Sequence, residues 1–306
     1  MAIIAQFAQS DPIGTKAASF APAKGFKNEL TEPAWIRVTL IIIVIAFISF
    51  FLVLPLIFIF IKAFQDGFQA YIAAISSPES LSAIWLTVNV LLIVVPVNTV
   101  FGVWLAWTVT KYRFRGKSLL ITLADLPFSI SPVIGGLIFV LLLGNHGQLG
   151  KWLLDHHIQL VFNTAGIVLA TLFVTYPFVS RELIPLMDGL GSTEEEASLI
   201  LGAGPFQTFF KVTLPNIKWG LLYGIILCSA RSIGDFGAVS VVSGHIVGQT
   251  NTMPLQVEAF YNGYQMTAAF ALSSLMSVVA VAALILNNYF DRKRSVTVKM
   301  EGRRAR

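Results

Sequence analysis

A long uncharged run decides the class of this protein: residues 38–61 read VTLIIIVIAFISFFLVLPLIFIFI. The hydrocarbon core of a bilayer is about 30 Å thick, so a helix needs about 20 apolar residues to cross it. The run exceeds that length, and its only polar side chains are those of Thr39 and Ser49. It therefore predicts a membrane-spanning helix.

Five further long and mostly uncharged stretches follow along the chain. Trimmed at turn residues, they predict spans at 84–110, 118–143, 164–187, 217–243 and 267–290. The composition agrees, because charged types make up only 12% of the 306 residues, about half of what a soluble domain carries. The predicted fold class is an all-α, polytopic membrane protein with six transmembrane helices. The one cysteine, Cys228, excludes an intrachain disulfide.

The Lys and Arg residues are divided unequally between the two sides of these spans. With the N-terminus placed in the cytoplasm, 17 of the 21 fall in cytoplasmic segments and only Lys62 and Lys151 in outer loops. Cytoplasmic loops of membrane proteins carry an excess of these residues, so both termini are predicted to be cytoplasmic. Residues 1–35 would form an N-terminal segment, whose order the sequence leaves open. Residues 291–306 form a basic tail suited to lipid headgroups, with no folded module for binding nucleic acid.

The segment between the fourth and fifth predicted spans, residues 188–216, reads DGLGSTEEEASLILGAGPFQTFFKVTLPN. Thr193 and Glu196 match a capping box, which predicts the start of a helix there. Glycines follow at 202 and 204, and a second, amphipathic helix is expected to end at Pro215. The segment is therefore predicted to be a structured two-helix hairpin on the cytoplasmic side. It is either a docking element for another protein or a hairpin on the membrane surface.

The fifth predicted span combines small polar residues with two opposite charges. On a regular helix, Arg231 and Asp235 are four residues apart and share one face, as an ion pair would require. The small polar residues fall on a different stripe that either lines a polar path or packs helices together: Ser229, Ser232, Ser240 and Ser243. Gly234 and Gly237 would void this reasoning if they break the helix.

Other chemistry-bearing residues favour structural roles. Asp125, inside the third span, is expected to cap the half-helix after Pro127 or to pair with a basic neighbour. Arg181 is expected near the cytoplasmic end of the fourth span, at the interface between membrane and water. His156 and His157 are adjacent in sequence and do not share a helix face, so they make a poor metal site. We predict no metal site and no catalytic residue in this chain.

The hairpin also resembles a known family signature. Glu196-Ala197-Ser198, three residues, Gly202, nine residues and Val212-Thr213-Leu214-Pro215 resembles the EAA motif of bacterial ABC importer permeases. That motif reads Glu-Ala-Ala, three residues, Gly, nine residues, then Ile, any residue and Leu-Pro. Ser198 and Val212 depart from it by small changes of similar volume.

A second stretch is similar to a narrower group. Residues 230–245, ARSIGDFGAVSVVSGH, resemble the fifth-span signature of the sulfate/thiosulfate permeases, with Asp235 where Glu is usual. Residues 250–258, TNTMPLQVE, resemble the W-type subunit of that group rather than its T-type sister. The resemblance covers about residues 36–295.

The resemblance implies a type I ABC importer permease fold in a bacterial inner membrane. It implies three kinds of partner besides lipid: a homologous T-type permease subunit, two ATPase subunits that bind MgATP, and an extracytoplasmic sulfate-binding protein. This chain itself would bind no cofactor. The hairpin would carry the coupling helix that docks on an ATPase, with these coupling residues: Glu195, Glu196, Ala197, Ser198, Gly202, Leu214 and Pro215. Arg231 would contact the anion or support the path through the Asp235 ion pair.

Three alternatives stay open at this stage. The first is a permease for another oxyanion, such as molybdate. The second is an intramembrane enzyme, for which Ser243-Gly244-His245 offers a serine beside a base, although sequence neighbours seldom form a catalytic dyad. The third is a passive channel, which would give the hairpin no purpose.

Overall fold

The computed structural model describes residues 34–145 and 147–304. Every secondary-structure element in this part of the chain is a helix. Residues 1–33 of the predicted N-terminal segment 1–35 lie outside the described residues. The first seven helices are α1 Ala34–Ile48, α2 Leu54–Ala63, α3 Phe68–Ile75, α4 Pro78–Lys111, α5 Lys117–Ser129, α6 Pro132–Leu143 and α7 Gln148–Asp155. The remaining eight are α8 Thr164–Thr175, α9 Pro177–Leu190, α10 Thr193–Ile200, α11 Pro205–Thr208, α12 Leu214–Ile233, α13 Gly237–Val242, α14 Met253–Asn262 and α15 Met266–Arg304.

Helices of sufficient length and apolarity to cross a membrane occur five times in the described residues. They run over Trp35–Ala63, Pro78–Lys111, Thr164–Leu190, Pro205–Ile233 and Met266–Tyr289. The pair α5 and α6 meets the same test together but bends by 105° at a short break, and it makes a sixth span if it crosses as one. The predicted all-α, polytopic class is thus confirmed, while the third span is a bent pair rather than the continuous helix 118–143.

Two short π-helical segments, Ser49–Val53 and Phe209–Thr213, join helices end to end. Each ends two residues before a proline, Pro55 or Pro215. A proline ring clashes with the carbonyl four residues earlier in an α-helix, and a wider π turn accommodates that clash. The prediction that Pro215 ends the second hairpin helix is therefore wrong, because the chain continues through it into α12.

The described chain divides into two compact units at Pro55. The first contains α1 and the first π segment, and its large apolar side chains are exposed. None of this unit's described residues, 34–55, covers them, as expected of a helix that faces lipid.

The second unit has its main apolar core between α4, α9 and α12. Val103, Val179 and Ile217 are buried there, one from each helix. Gly102 and Gly224 allow this approach, because an added Cβ would lie 2.7 Å from Val179 Cβ at Gly102 and 3.3 Å from Val179 Cα at Gly224. Small residues at contacts are how helices pack closely where lipid supplies no hydrophobic drive.

The other helices of the second unit pack around this core. α13 lies against α6 and α8, and α15 lies against α12, α14 and α3. The packing leaves two regions to be considered as functional sites. One is the hairpin 188–216, and the other is the three-residue break between α12 and α13.

Candidate functional site

The hairpin begins where α9 ends and returns directly into the fifth span. Gly191 has a φ of 71° and follows α9, and Gly202 has a φ of 89° at the turn after α10. Both values lie in the left-handed region that favours glycine. The helix starts as predicted near Thr193, but its N-cap is Ser192. The Ser192 hydroxyl donates to Glu196, so the Thr193–Glu196 capping box is not formed.

Polar contacts tie the two halves of the hairpin to each other. The Thr213 hydroxyl donates to Glu195 Oε1 at 2.7 Å, and the Asn216 amide donates to Glu194. The Ser198 and Thr208 hydroxyls are 3.1 Å apart. α10 is therefore fastened to the segment that becomes the fifth span.

The hairpin is also fastened to the end of α4. Lys111 Nζ lies 2.9 Å from Glu195 Oε2 and donates to the Gly191 carbonyl at 2.6 Å. Beside this pair, the Trp107 and Phe209 rings pack with centroids 5.1 Å apart. The hairpin thus has a defined position relative to the membrane helices.

The tip of the hairpin carries large apolar side chains with no cover. Ile200 is 85% exposed, Leu201 87% and Phe206 81%. Leu199 and Phe210 are also exposed. We call these five residues the apolar tip. Contiguous exposed apolar surface of this kind marks an interaction site with protein or membrane.

The sequence-predicted coupling residues take different positions in the hairpin. Glu195 and Ser198 turn inward to the contacts above, and Leu214 packs against the apolar core. Those that remain on the exposed surface are Glu196, Ala197, Gly202 and Pro215.

The fifth span breaks where the sequence places its carboxylate. α12 ends at Ile233, and α13 begins at Gly237, so the four serines do not lie on one regular helix. Asp235 is 1% exposed, and neither carboxylate oxygen has a hydrogen-bond partner of normal geometry.

An ion pair between Arg231 and Asp235 is not formed in this structure. Lys111–Glu195 and Arg181–Asp125 are ion pairs that the described residues do form. The second joins α5 to α9 at 3.4 Å, with the Arg181 guanidinium 4.5 Å from the centre of the Phe128 ring. Asp125 therefore has the basic partner that was one of its two expected arrangements.

The four serines of the fifth span separate into buried and partly exposed pairs. Ser232 is buried and donates to the Cys228 carbonyl, and Ser243 is fully buried and accepts from the His245 N–H. Ser229 and Ser240 are half-buried and donate to carbonyls of their own helices. The second pair is the more accessible of the two.

Sequence reasoning missed several polar residues that complete these regions. Asn98 donates to Thr175 Oγ1 at 2.8 Å and lies 3.8 Å from Cys228 Sγ, which links α4, α8 and α12. The available signal was an amide side chain inside an apolar span, which demands a partner. Lys111, Thr213 and Asn216 gave no comparable signal, because their partners are distant in sequence.

Comparisons with known proteins identify the fold and its relatives. Residues 98–296 match the family model "Binding-protein-dependent transport system inner membrane component". The chain is 49% identical over 240 residues to the sulfate transport system permease protein CysW of Escherichia coli, covering 78% of this chain and 82% of that protein. It is 45% identical over 258 residues to CysW of Synechocystis sp., covering 84% and 94%.

More distant matches agree with this result. Identity to the CysT permease of Escherichia coli is 34% over 240 residues, covering 78% of this chain and 86% of that one. A bacterial alginate ABC transporter, crystallised with its periplasmic protein and bound pentasaccharide, matches with a TM-score of 0.72 at 17% identity, covering 85% of this chain and 94% of that one. The resemblance predicted from the two motifs is confirmed, and the chain belongs to the inner-membrane components of binding-protein-dependent transport systems.

Proposed function

We propose that this chain is one of two permease subunits of an ATP-driven sulfate importer in a bacterial inner membrane. The observation that carries the proposal is the apolar tip, held out by a hairpin that is fastened to the membrane helices. The identity to CysW proteins supports sulfate as the substrate, with thiosulfate as the related oxyanion. The higher identity to CysW than to CysT supports a T-type sister subunit as the second half of the path.

The apolar tip is the proposed docking surface for an ATPase subunit. A tip that only touched lipid would not require the three polar contacts that fix α10 against the second half of the hairpin. MgATP would bind on two ATPase subunits, and a sulfate-binding protein would deliver the anion on the opposite side. Energy from ATP can open the path only by favouring one conformation of the permease over another.

The break in the fifth span is the proposed part of the translocation path. Sulfate carries two charges, and a bare charge costs tens of kcal/mol in a low-dielectric medium by Born estimates. Irregular backbone at membrane depth is tolerated where protein buries it or where it lines a water-filled cavity. Asp235 repels an anion, so Arg231 and the accessible hydroxyls of Ser229 and Ser240 are the proposed contacts on this chain.

The test of the proposed function is affinity purification of the chain from its native membranes in mild detergent. We expect an ATPase and a second permease to copurify, with ATP hydrolysis stimulated by sulfate-loaded binding protein. Competition for radiolabelled sulfate uptake by thiosulfate and molybdate then ranks the oxyanions. A wild-type chain that purifies without an ATPase contradicts the importer assignment.

The docking surface is tested separately by placing charge on the apolar tip. Ile200→Asp with Leu201→Asp is expected to abolish ATPase copurification while membrane levels stay normal. The matched control is Ile246→Asp, which charges another exposed isoleucine in the loop after α13 and is expected to retain the ATPase. Equal retention by both variants would contradict docking through the tip.

The anion contact is tested at Arg231. Arg231→Gln is expected to raise the KM for sulfate uptake by about tenfold or more, since one charge-assisted hydrogen bond contributes about 1.5–3 kcal/mol. Arg231→Lys retains the positive charge and is expected to lie between wild type and Arg231→Gln. An unchanged KM in Arg231→Gln, at normal membrane levels, would place the anion elsewhere.

A further inference from the structure

One lysine connects the hairpin to the second membrane-spanning helix. Lys111 is the last residue of α4, and its Nζ atom contacts both the Gly191 carbonyl and Glu195 Oε2. The side chains of Lys111 and Glu195 are 14% and 17% exposed. The pair is thus largely shielded, and its two charges depend on each other more than a surface pair would.

Glu195 also contacts the segment that leads into the fifth span. Its second carboxylate oxygen accepts a hydrogen bond from Thr213, which is 3% exposed and immediately precedes α12. Gly191, the other partner of Lys111, directly follows α9. One cation and one carboxylate therefore join the ends of the second, fourth and fifth spans.

The hairpin does not depend on Lys111 for its own shape. Thr213–Glu195, Asn216–Glu194 and Ser198–Thr208 hold its two halves together without that lysine. Within the described residues, Lys111 makes the polar contacts between α4 and the hairpin, and the Trp107–Phe209 ring contact is the neighbouring apolar one. Loss of Lys111 would therefore leave a folded hairpin whose polar connection to α4 is cut.

We propose that Lys111 and Glu195 form a transmission pair that makes α4 follow movements of the hairpin. The proposal rests on the proposed function, in which an ATPase binds the apolar tip. A push on the tip reaches α9 and α12 along the backbone, because both continue into the hairpin. The same movement reaches α4 only through side-chain contacts. Among these, the Lys111–Glu195 ion pair is the one whose geometry depends on the direction of the movement. Both residues are positioning residues and contact no substrate.

The test measures sulfate uptake and ATP hydrolysis together in the complete complex reconstituted in liposomes. Lys111→Gln is expected to retain ATPase copurification and basal hydrolysis, but to lower sulfate transported per ATP by about tenfold. Glu195→Gln is expected to act in the same direction while keeping an acceptor for Thr213. The conservative Lys111→Arg keeps a cationic donor for both the Gly191 carbonyl and Glu195 and is expected to recover much of the lost coupling. A purely structural role would change the yield of complex and leave the ratio of transport to hydrolysis unchanged.

Lys117→Gln is the matched control, because Lys117 begins α5 and lies in the same connection between spans without a place in the pair. Its transport per ATP is expected to equal that of wild type. The transmission pair is overturned if Lys111→Gln transports as much sulfate per ATP as wild type, or if Lys111→Arg transports no more than Lys111→Gln. Wild-type chain that binds no ATPase overturns the proposed function and the pair with it. If the wild-type chain binds the ATPase and Lys111→Gln transports as much sulfate per ATP as wild type, only the transmission pair is overturned and the proposed function stands.

Discussion

At the scale of single residues, Cys228 is a probe of how tightly the spans pack. It is the one cysteine of the chain and is 0% exposed, with Asn98 and the Thr175 carbonyl 3.8 Å from its sulfur. A buried thiol reacts only when the protein opens locally. We expect membrane-permeant N-ethylmaleimide to label it at least about tenfold more slowly in the folded chain than in denaturant.

The control for this measurement is Ser192→Cys, which places a thiol on the exposed hairpin and is expected to react at once. Comparable labelling of Cys228 before and after denaturation would contradict the packing of α4, α8 and α12 around it.

The residue-scale chemistry was only partly predictable from sequence. The motif residues of the hairpin could be identified from sequence because the motif fixes the number of residues between them. The Arg231–Asp235 pair was inferred from helical spacing, and the break at Gly234 removed the helix on which that spacing depends. The Lys111–Glu195 contact joins residues 84 positions apart, and no local pattern specifies such a partner.

At the scale of elements, two neighbouring glycines of α6 face different obstacles, because Gly136 lies against the backbone of α13 and Gly135 against a side chain of α8. A Cβ at Gly136 would lie 2.7 Å from the Ala238 carbonyl oxygen, whereas one at Gly135 would lie 3.1 Å from an atom of the Phe173 ring. Backbone cannot move away without shifting α13, but a ring can turn. Gly136→Ala is expected to destabilise the chain by about 1–3 kcal/mol, the usual cost of overpacking.

The measurement is the apparent Tm of the purified protein by fluorescence-detected gel filtration. A cost of 1 kcal/mol corresponds to about 2–4 °C for 150–250 residues, so Gly136→Ala is expected to fall by at least about 2 °C. Gly135→Ala is expected to fall by less. The reverse order would show that α6 is rotated from the position described.

The hairpin turn offers a second matched pair of glycines. Gly202 has a φ of 89°, Gly204 has a φ of −72°, and a Cβ at either would meet nothing within 4 Å. Only the backbone conformation separates them. Ala in the left-handed region costs about 1–2 kcal/mol, so Gly202→Ala is expected to speed amide hydrogen exchange across 193–208 by about fivefold or more. Gly204→Ala is expected to leave it unchanged, and an equal effect of the two would contradict the turn.

The elements themselves were predicted unevenly, and prolines mark the difference. Apolar length alone located the membrane-spanning helices, because a bilayer sets the number of residues required. Pro215 was expected to stop a helix, since proline lacks an N–H. The π segment Phe209–Thr213 instead widens the turn before it and lets the helix continue. A proline therefore signals disturbed helix, and tertiary packing decides whether the helix ends, bends or widens.

At the scale of the whole molecule, the number of membrane crossings depends on α5 and α6. Five helices are long enough to cross individually, and the α5–α6 pair bends by 105°. If the pair crosses as one span, the total is six and both termini share a side. If it enters and leaves on one side, the total is five and the termini are opposed. The sequence predicted six from apolar length, but length cannot distinguish a bent crossing from a re-entrant loop.

The distribution of basic residues argues for the crossing. The connection before α5 contains Arg113, Arg115 and, at its end, Lys117, whereas the connection after α6 contains Lys151 alone. Loops rich in Lys and Arg remain in the cytoplasm, so the two connections are predicted to lie on opposite sides. Arg115→Cys and Asp155→Cys place exposed thiols in them. In intact cells, a membrane-impermeant maleimide is expected to label Asp155→Cys and to label Arg115→Cys only after permeabilisation.

Ser192→Cys, on the hairpin, is expected to behave like Arg115→Cys, because an ATPase can reach the apolar tip only from the cytoplasm. If Arg115→Cys and Asp155→Cys are protected together, the pair is re-entrant. If Ser192→Cys is labelled in intact cells, the proposed docking of the tip is wrong, whatever the number of spans.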